Sequence, residues 1–423
     1  MLSLIAEPLA GLVDTAFVER LGAEFAAALG AATAILSGVL WIFNFLGVGT
    51  QTEVARTAGE ARGDAARGIA SLAIVLGLGL ATASALLLWV ALEPLAAWMS
   101  DDPAVREATG SYLVVRLLGF PAVLAGFAAF GALRGLQDMR TPMWIAAAMS
   151  ILNVVLDPVL IFGWGWVPAL GIAGAAWATV ASQVAGAVVA CWVVVRRLGW
   201  TFRFEPRRVG SLFRVGRDMV IRTSALLLFM IVSTRVALQM GREAGAAHQA
   251  IRQTWMLLAF LLDAYAASAQ SLVAWFLGSA RPDLARRVAR VSVGWGLATG
   301  FALAGGLFAL EPAFAALLVP PEAREVFARA WPVFALSQPA SALSFVTDGI
   351  HWGTSDYGYL RNGMLVSSAV GLVLLLQVDT ATVPAALDAV WLVTLLWVAV
   401  RSAFGVVRVW PGFGRSPLAS RGG

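Results

Sequence analysis

The sequence contains no lysine, and arginine accounts for all 30 of its basic residues. Only 13% of its 423 residues are charged, whereas an average soluble domain is about 25% charged. With 60% hydrophobic residues and a mean hydropathy of +0.80, this composition excludes an ordinary soluble protein. The net charge of +5 therefore points to arginine-rich loops that orient a membrane protein, and we expect no nucleic-acid partner.

Cysteine and histidine are nearly absent. The single cysteine, Cys191, rules out an intrachain disulfide and a CxxC metal or redox site, and we expect it to be a small core residue. His248 and His351 are too few and too far apart for a histidine metal site. The sequence also lacks a P-loop, an HExxH motif and a GxSxG motif. We therefore expect neither an enzyme nor a cofactor, and transport would draw its energy from an ion gradient.

Apolar runs of about 20 residues, the length that crosses a bilayer, recur along the whole chain. They leave no room for a soluble domain. The pattern predicts an all-α polytopic membrane protein with twelve transmembrane helices. The predicted spans are residues 1–21, 26–49, 69–92, 109–133, 141–163, 169–195, 218–240, 245–275, 288–310, 330–352, 362–378 and 385–407.

The arginines are distributed unevenly between the two sides of these spans. Segments after even-numbered spans hold 20 of the 30 arginines, counted with the C-terminal tail and with Arg290 at the start of the ninth span. Segments after odd-numbered spans hold 5, counted with Arg20 at the end of the first span, and 5 lie deeper within spans. Because positive loops stay in the cytoplasm, this bias predicts that both termini are cytoplasmic. With the apolar spans, the bias predicts a multi-pass protein of the inner (plasma) membrane.

The chain repeats itself at a single offset of 219 residues, which brings charged residues of the first half onto identical residues of the second. The matched charged pairs are Glu24 with Glu243, Asp64 with Asp283, and Arg67 with Arg286. The offset spans six helices, so the two halves have the same topology. It predicts two pseudo-symmetric six-helix lobes, residues 1–197 and 218–423 with a short cytoplasmic tail, joined by a cytoplasmic linker at 198–217. Transporters bind substrate at such repeat interfaces and alternate access by moving one half against the other.

Acidic and amide residues lie inside predicted spans of the first half. Asn153 and Asp157 are four residues apart on the fifth span, one turn from each other on one helix face, and Pro158 follows. Asp14 lies in the first span. Intramembrane carboxylates are costly and mark functional sites, so the two acids are candidates to bind a proton or a small hard cation. The alternative is that the polar residues only join two helices.

Other polar residues of the first half are open to two interpretations. Glu7 lies two turns before Asp14 and could join the site or reach the interface. Thr179 and Gln183, a turn apart on the sixth span, and Asn44 on the second could bind substrate or ion, or pack between helices.

The second half carries a different set of intramembrane polar residues. These are Arg222, Arg235, Arg252, Asp263, Gln270, Asp348 and Arg401. Asp263 and Asp348 could take part in coupling, or they could simply neutralise nearby arginines, since buried Arg and Asp normally pair. His351, on the same face as Asp348, is expected to be a surface or packing residue.

Several segments resemble the MATE (multidrug and toxic compound extrusion) transporters, specifically their DinF-like branch. The family segments are Glu7–Thr15 (EPLAGLVDT), Leu133–Asp138 (LRGLQD), Asn153–Pro158 (NVVLDP) and Gly174–Thr179 (GAAWAT). The branch segments are Arg217–Thr223 (RDMVIRT), Leu262-Asp263, and Asp348–Ile350 (DGI) followed by Arg361-Asn362. The resemblance covers nearly the whole chain.

The resemblance implies two six-helix lobes around a V-shaped cleft, and export of organic compounds, often cationic or amphipathic, in exchange for H⁺ or Na⁺. It places the cation site on Asp14, Asn153, Asp157 and Thr179. An acid common in the branch is replaced here by Gln270, which weakens a second ion site in the C-terminal lobe.

The leading hypothesis is a secondary multidrug antiporter, a monomer in the lipid bilayer with small organic molecules as its partners. The runner-up is a lipid-linked oligosaccharide flippase of the same superfamily, which would need a cationic cleft for a pyrophosphate. A channel or an intramembrane enzyme fits less well, because the repeat suits alternating access and no catalytic pair is present.

Overall fold

The structure is a computed structural model, described here for residues 11, 13–203, 206–380, 387–410 and 416–418. These residues are almost entirely helical, as predicted. After a helical stretch at 13–18 and a short 3₁₀ turn at Glu19–Leu21, fourteen α-helices follow. They are α1 (Ala23–Phe43), α2 (Phe45–Gly59), α3 (Gly63–Val90), α4 (Leu92–Met99), α5 (Pro103–Gly135), α6 (Arg140–Phe162), α7 (Ile172–Leu198), α8 (Pro206–Gln239), α9 (Arg242–Gly278), α10 (Pro282–Leu318), α11 (Arg324–Leu336), α12 (Gln338–Gly353), α13 (Tyr357–Leu375) and α14 (Leu387–Val409).

Ten helical segments of the described chain are long and apolar enough to cross a membrane. Their surfaces carry large hydrophobic side chains such as Leu317 and Leu87, which are 82% and 72% exposed. Exposed apolar surface on this scale is unfavourable in water and is what a lipid-facing helix requires. The fold is therefore that of a polytopic membrane protein.

The helix boundaries differ from the predicted spans in two ways. The second span is two helices that meet at Asn44, and the tenth is two helices that meet at Ser337. Most helices also extend beyond the apolar run; α5 begins at Pro103, where the Asp102 side chain accepts a hydrogen bond from the Ala104 N–H at 2.9 Å. Hydropathy detects the apolar stretch, whereas capping groups such as Asp102 determine where a helix begins.

The chain divides into two compact units, Met1–Gly216 and Arg217–Gly423. In the first unit, α5 packs against α2, α3 and α7; in the second, α12 packs against α9, α10 and α14. The boundary falls within α8, so part of the expected linker at 198–217 is helical.

Each unit has its own hydrophobic core. In the first unit the core includes Val54, Ile69 and Leu133. In the second it is aromatic, with Phe229 stacked on Trp397 at a ring distance of 4.5 Å. Each unit thus buries its own apolar surface.

The sequence repeat is visible in the backbone. Shifting Ala23–Gly59 by 219 residues gives the bounds of α9, and α3 and α10 begin at positions that differ by the same number. Ala61 and Ala280 both adopt positive φ values, 56° and 55°, in the turn that follows. A non-glycine residue in this conformation is uncommon, so its recurrence at the same offset reflects a common architecture.

Candidate functional site

The four residues expected to form the ion site come together inside the first unit. Asp14, Asn153 and Asp157 are buried, with 8%, 3% and 0% exposure, and Thr179 is half-buried. The Asn153 amide donates to the Thr179 hydroxyl at 3.5 Å. The Asp14 carboxyl group interacts directly with the side chains of Asp157, Asn153 and Thr179. Three helical segments that are far apart in sequence therefore supply one polar cluster.

The local sequence explains how α6 and α7 approach closely enough to share this cluster. Asn153 and Asp157 lie one turn apart on α6, and the helix continues through Pro158 to Phe162. Gly174 of α7 lies against the backbone of Leu160 and Ile161, and a Cβ atom at that position would be 2.8 Å from the Ile161 nitrogen. Only glycine permits this approach, which sets Thr179 beside Asn153.

The carboxyl groups of this cluster lack hydrogen-bond donors. Both oxygens of Asp157 and one of Asp14 have no donor among the described residues. Two buried carboxylates in contact cannot both ionise without a large cost. A bound proton or a small cation would remove that cost, so the arrangement is suited to binding and releasing a positive charge.

The sequence did not predict that two residues of α5, Tyr112 and Arg116, belong to this cluster. The Arg116 guanidinium donates to the Gln183 side chain at 2.8 Å and interacts electrostatically with Asp14. Tyr112 is 4% exposed, and its hydroxyl interacts with Thr179. Their spacing of four residues within an apolar span was a usable signal, because an intramembrane arginine needs a partner.

The remaining candidates of the first half lie elsewhere or have other roles. Glu7 lies outside the described residues. Asn44 is exposed at the break between α1 and α2. Gln183 joins the cluster through Arg116. Within the described chain, no group of three or more His, Cys, Asp or Glu side chains is arranged to hold a metal ion.

In the second half, Asp348 is paired with two arginines. It is 6% exposed and forms ion pairs with Arg222 and with Arg401. Arg235 is exposed, and Arg252 instead binds Gln249, so neither is the partner of Asp348.

Three further residues of the second half were considered from the sequence. Asp263 is half-buried and Gln270 is buried, both on α9. Of the two roles expected for His351, surface or packing, the structure has the packing role: the side chain is fully buried, with Nε2 at 3.1 Å from the Gly405 carbonyl oxygen and Nδ1 at 3.6 Å from Asp356. It is buried because α12 packs between α9, α10 and α14.

A duplicated helical fold with polar groups gathered inside one repeat is the architecture of a class of protein, the membrane transporters. The chain belongs to the MatE family, whose profile matches residues 1–159 and 219–376. The two matched segments correspond to the two sequence repeats. The chain is thus a multidrug and toxic compound efflux transporter, and its relatives are transporters rather than enzymes.

Individual relatives agree with this assignment. Protein DETOXIFICATION 44, chloroplastic, of Arabidopsis thaliana is 32% identical over 96% of this chain and 80% of its own length. DNA damage-inducible protein F of Escherichia coli (strain K12) is 26% identical over 96% of this chain and 89% of its own. A crystal structure of MATE in the bent conformation matches with a TM-score of 0.88 and 21% identity, covering 96% of this chain and 92% of the other. These comparisons confirm the resemblance to DinF-like MATE transporters and the two-lobe fold.

Proposed function

We propose that this transporter is an antiporter that exports organic compounds, cationic or amphipathic, in exchange for protons. The observation that carries the proposal is the direct contact between the buried carboxyl groups of Asp14 and Asp157. Protonation of this pair removes the repulsion between two carboxylates, and deprotonation restores it. A proton therefore binds the two packing states of the first unit with different affinity, which is the condition for coupling.

The geometry favours a proton over Na⁺ as the coupling ion. The two carboxyl groups are in contact, and both Asp157 oxygens lack a hydrogen-bond donor among the described residues; a single proton between the groups supplies the missing hydrogen bond. A hard metal cation needs about six oxygen ligands around it. The Arg116 guanidinium beside Asp14 already supplies a fixed positive charge, so a single proton neutralises the remaining negative charge.

The flippase alternative receives less support from the arginines. A pyrophosphate would require a large accessible surface that carries several cations. Arg116 instead binds Gln183, and Arg222 and Arg401 are buried around Asp348, where the space holds about one water-sized occupant. The antiporter is therefore the function that we propose.

The proposal extends to location and assembly. The bias of 20 arginines against 5 supports a multi-pass protein of the inner membrane with both termini in the cytoplasm. We propose that it works as a monomer without a cofactor, because the carboxylate pair and its partners all lie in one unit of one chain.

The decisive experiment is efflux of a fluorescent organic cation from proteoliposomes under an imposed pH gradient or an imposed Na⁺ gradient. We expect a pH gradient to drive transport and a Na⁺ gradient at equal pH to leave it unchanged. Asp14→Asn and Asp157→Asn should each reduce efflux to the level of empty liposomes, because an amide cannot release a proton. Asp64→Asn, at a position 92% exposed, is the matched control and should transport normally.

Other outcomes would contradict parts of the proposal. Transport driven by Na⁺ alone would refute the choice of ion. Pumping that survives both substitutions would move coupling away from the pair, with Asp263 and Asp348 as the next candidates. Folded protein that transports no organic cation would shift support to the flippase.

A further inference from the structure

Two buried arginines of the second unit share a single carboxylate. Arg222 of α8 and Arg401 of α14 are 7% and 8% exposed, and both donate to the same oxygen of Asp348 on α12, Arg401 at 3.1 Å. Two guanidinium groups and one carboxylate leave one positive charge uncompensated. This surplus lies inside a transmembrane unit, where an uncompensated charge is costly.

The nearest acidic groups of the described chain do not cancel the surplus. Asp218, one turn before Arg222, already accepts from Arg217 and Arg361, at 2.9 and 2.8 Å. These contacts add a second carboxylate that is shared by two arginines.

A further acid lies beyond the end of α12 and is also engaged. Asp356 pairs with Arg408 at 3.0 Å and lies 3.6 Å from His351. Asp218, Asp348 and Asp356 are thus each bound to at least one arginine, and the five arginines in these pairs outnumber them.

Aromatic side chains cover part of the guanidinium surface. The Arg401 guanidinium lies 4.7 Å from the Trp397 ring centre, and that of Arg222 lies 5.5 Å from the Trp352 ring centre. A ring face attracts a cation but brings no negative charge. The Arg222 Nε–H is buried and has no hydrogen-bond partner among the described residues, so a donor remains available.

A small cavity lies against the three charged residues. It is partly open to the outside and has room for about one water-sized occupant beside these residues. Its other walls include Tyr359, Met364 and Phe404. The Tyr359 hydroxyl donates to the Phe404 carbonyl, so the charged groups that line the cavity are the two guanidinium groups and the one carboxylate that they share.

We propose that the second unit binds one monatomic monovalent anion, chloride, between Arg222 and Arg401. The surplus charge determines the sign of the ligand, the buried Arg222 Nε–H, unpartnered among the described residues, supplies a donor, and the small space beside the guanidinium groups favours a single atom. The site shares no residue with the carboxylate pair of the first unit. The anion therefore stabilises the second unit whichever ion drives transport.

The direct test is anomalous diffraction from crystals of the purified protein grown in sodium bromide. We expect one bromide peak within hydrogen-bonding distance of both guanidinium groups. A water molecule or an empty cavity at this position, with bromide present in the crystal, would overturn the proposal.

A second test measures the thermal unfolding temperature, Tm, in detergent at constant ionic strength and pH. Chloride and bromide should raise Tm relative to gluconate, by about 3–6 °C for each tenfold increase above the dissociation constant. Acetate, which is larger than a single atom, should raise Tm less than chloride does. Arg401→Gln removes the surplus charge and should abolish the halide effect.

Arg235→Gln is the matched control, because Arg235 lies on α8 and is exposed; this variant should keep the full halide response. Equal Tm values in all anions for the unmodified protein would refute the site. So would an undiminished halide response in Arg401→Gln, and an equal response to acetate would refute the size limit. If Arg401→Gln does not fold, the bromide experiment on the unmodified protein still decides.

Discussion

Individual charged residues at the ends of helices show how sequence and structure are connected at the residue scale. Asp138, between α5 and α6, accepts from the backbone N–H groups of Arg140 and Thr141 and pairs with Arg197 at 2.8 Å. Burial on its own would raise the pKa of Asp138, but the hydrogen bonds from Thr141 and the charge of Arg197 outweigh it and hold the pKa below the ordinary value of 3.8. Asp138 thus fixes the start of α6 to the end of α7.

This environment predicts a pH-dependent stability difference. Because the folded-state pKa is lowered, the stabilisation by Asp138 is complete above the ordinary pKa and is lost as the pH falls through the folded-state value. Asp138→Asn should lower the free energy of unfolding by about 0.5–1.5 kcal/mol at pH 7. The difference should shrink below pH 3.8, as measured by thermal unfolding in detergent at several pH values.

The fully exposed Asp101 provides the control, and Asp101→Asn should change Tm little at any of these pH values. A difference for Asp138→Asn that grows as the pH falls would mean that Asp138 is not stabilising as a carboxylate.

Residue-scale reasoning identified the costly groups but not their partners. Asp14 and Asp157 stand out because a carboxylate inside an apolar span is costly and marks a candidate functional site. Arg116 is equally visible, but which of several polar helices it faces depends on helix rotation and packing. The same is true of Asp348, whose second partner is Arg401 rather than Arg235 or Arg252.

Within each unit, two helices cross at a glycine, and the glycines occupy similar positions in the two units. Gly135 of α5 lies against α2, where an added Cβ atom would be 2.8 Å from the Gln51 carbonyl oxygen. Gly353 of α12 lies against α9, where it would be 2.6 Å from the Gln270 carbonyl oxygen. Gly349, one turn earlier on α12, meets the backbone of Ala266 in the same way. Small residues spaced by four allow two backbones to touch, which is the main source of close packing between membrane helices.

Gly349→Ala should therefore destabilise the protein although alanine is the better helix former. The added methyl group meets a backbone that cannot move aside, and overpacking of this kind costs about 1–3 kcal/mol. Thermal unfolding of the purified variant measures the loss. Gly305→Ala on α10, where nothing lies within 4 Å of the added atom, is the control and should be neutral or stabilising. A neutral Gly349→Ala would show that the crossing is looser than described.

The helix breaks are the elements that sequence reasoning did not resolve. Asn44 and Ser337 each interrupt a stretch that the sequence predicts to be one span. At the corresponding position of the other repeat, the helix is continuous in both cases. Hydropathy is the same on either side of such a break, so the pattern carries no signal for it.

At the scale of the whole molecule, the repeat and the arginine bias together specify the topology. The turn after α6 exposes Trp166, which is 93% accessible, and falls after an odd-numbered span. Arg203 is exposed beyond the end of α7, after an even-numbered span. Positive loops remain in the cytoplasm, so these two positions are proposed to lie on opposite sides of the membrane.

Single cysteines at these two positions test the orientation. In a Cys191→Ser background, which removes the only native thiol, Trp166→Cys should react with a membrane-impermeant maleimide in intact cells. Arg203→Cys should react only after the cells are permeabilised, because the proposed cytoplasmic side is then reached. Labelling of Arg203→Cys in intact cells, with Trp166→Cys protected, would reverse the assigned orientation.

The sequence by itself determined the class, the repeat and the two costly acids. These properties follow from composition and periodicity, because a bilayer demands long apolar helices and penalises each charge within them. The MATE family could be identified for the same reason, since its motifs surround the costly residues.

Only the tertiary structure decided which polar groups meet. The cluster of Asp14, Asp157 and Arg116 is built from helices well separated in sequence, and so is the cluster of Arg222, Asp348 and Arg401. Such contacts depend on how each helix is rotated and how closely glycines let it approach its neighbour. A long apolar run predicts that a helix lies in the lipid, but it does not fix how the helix is rotated about its own axis. Packing within each unit fixes that rotation.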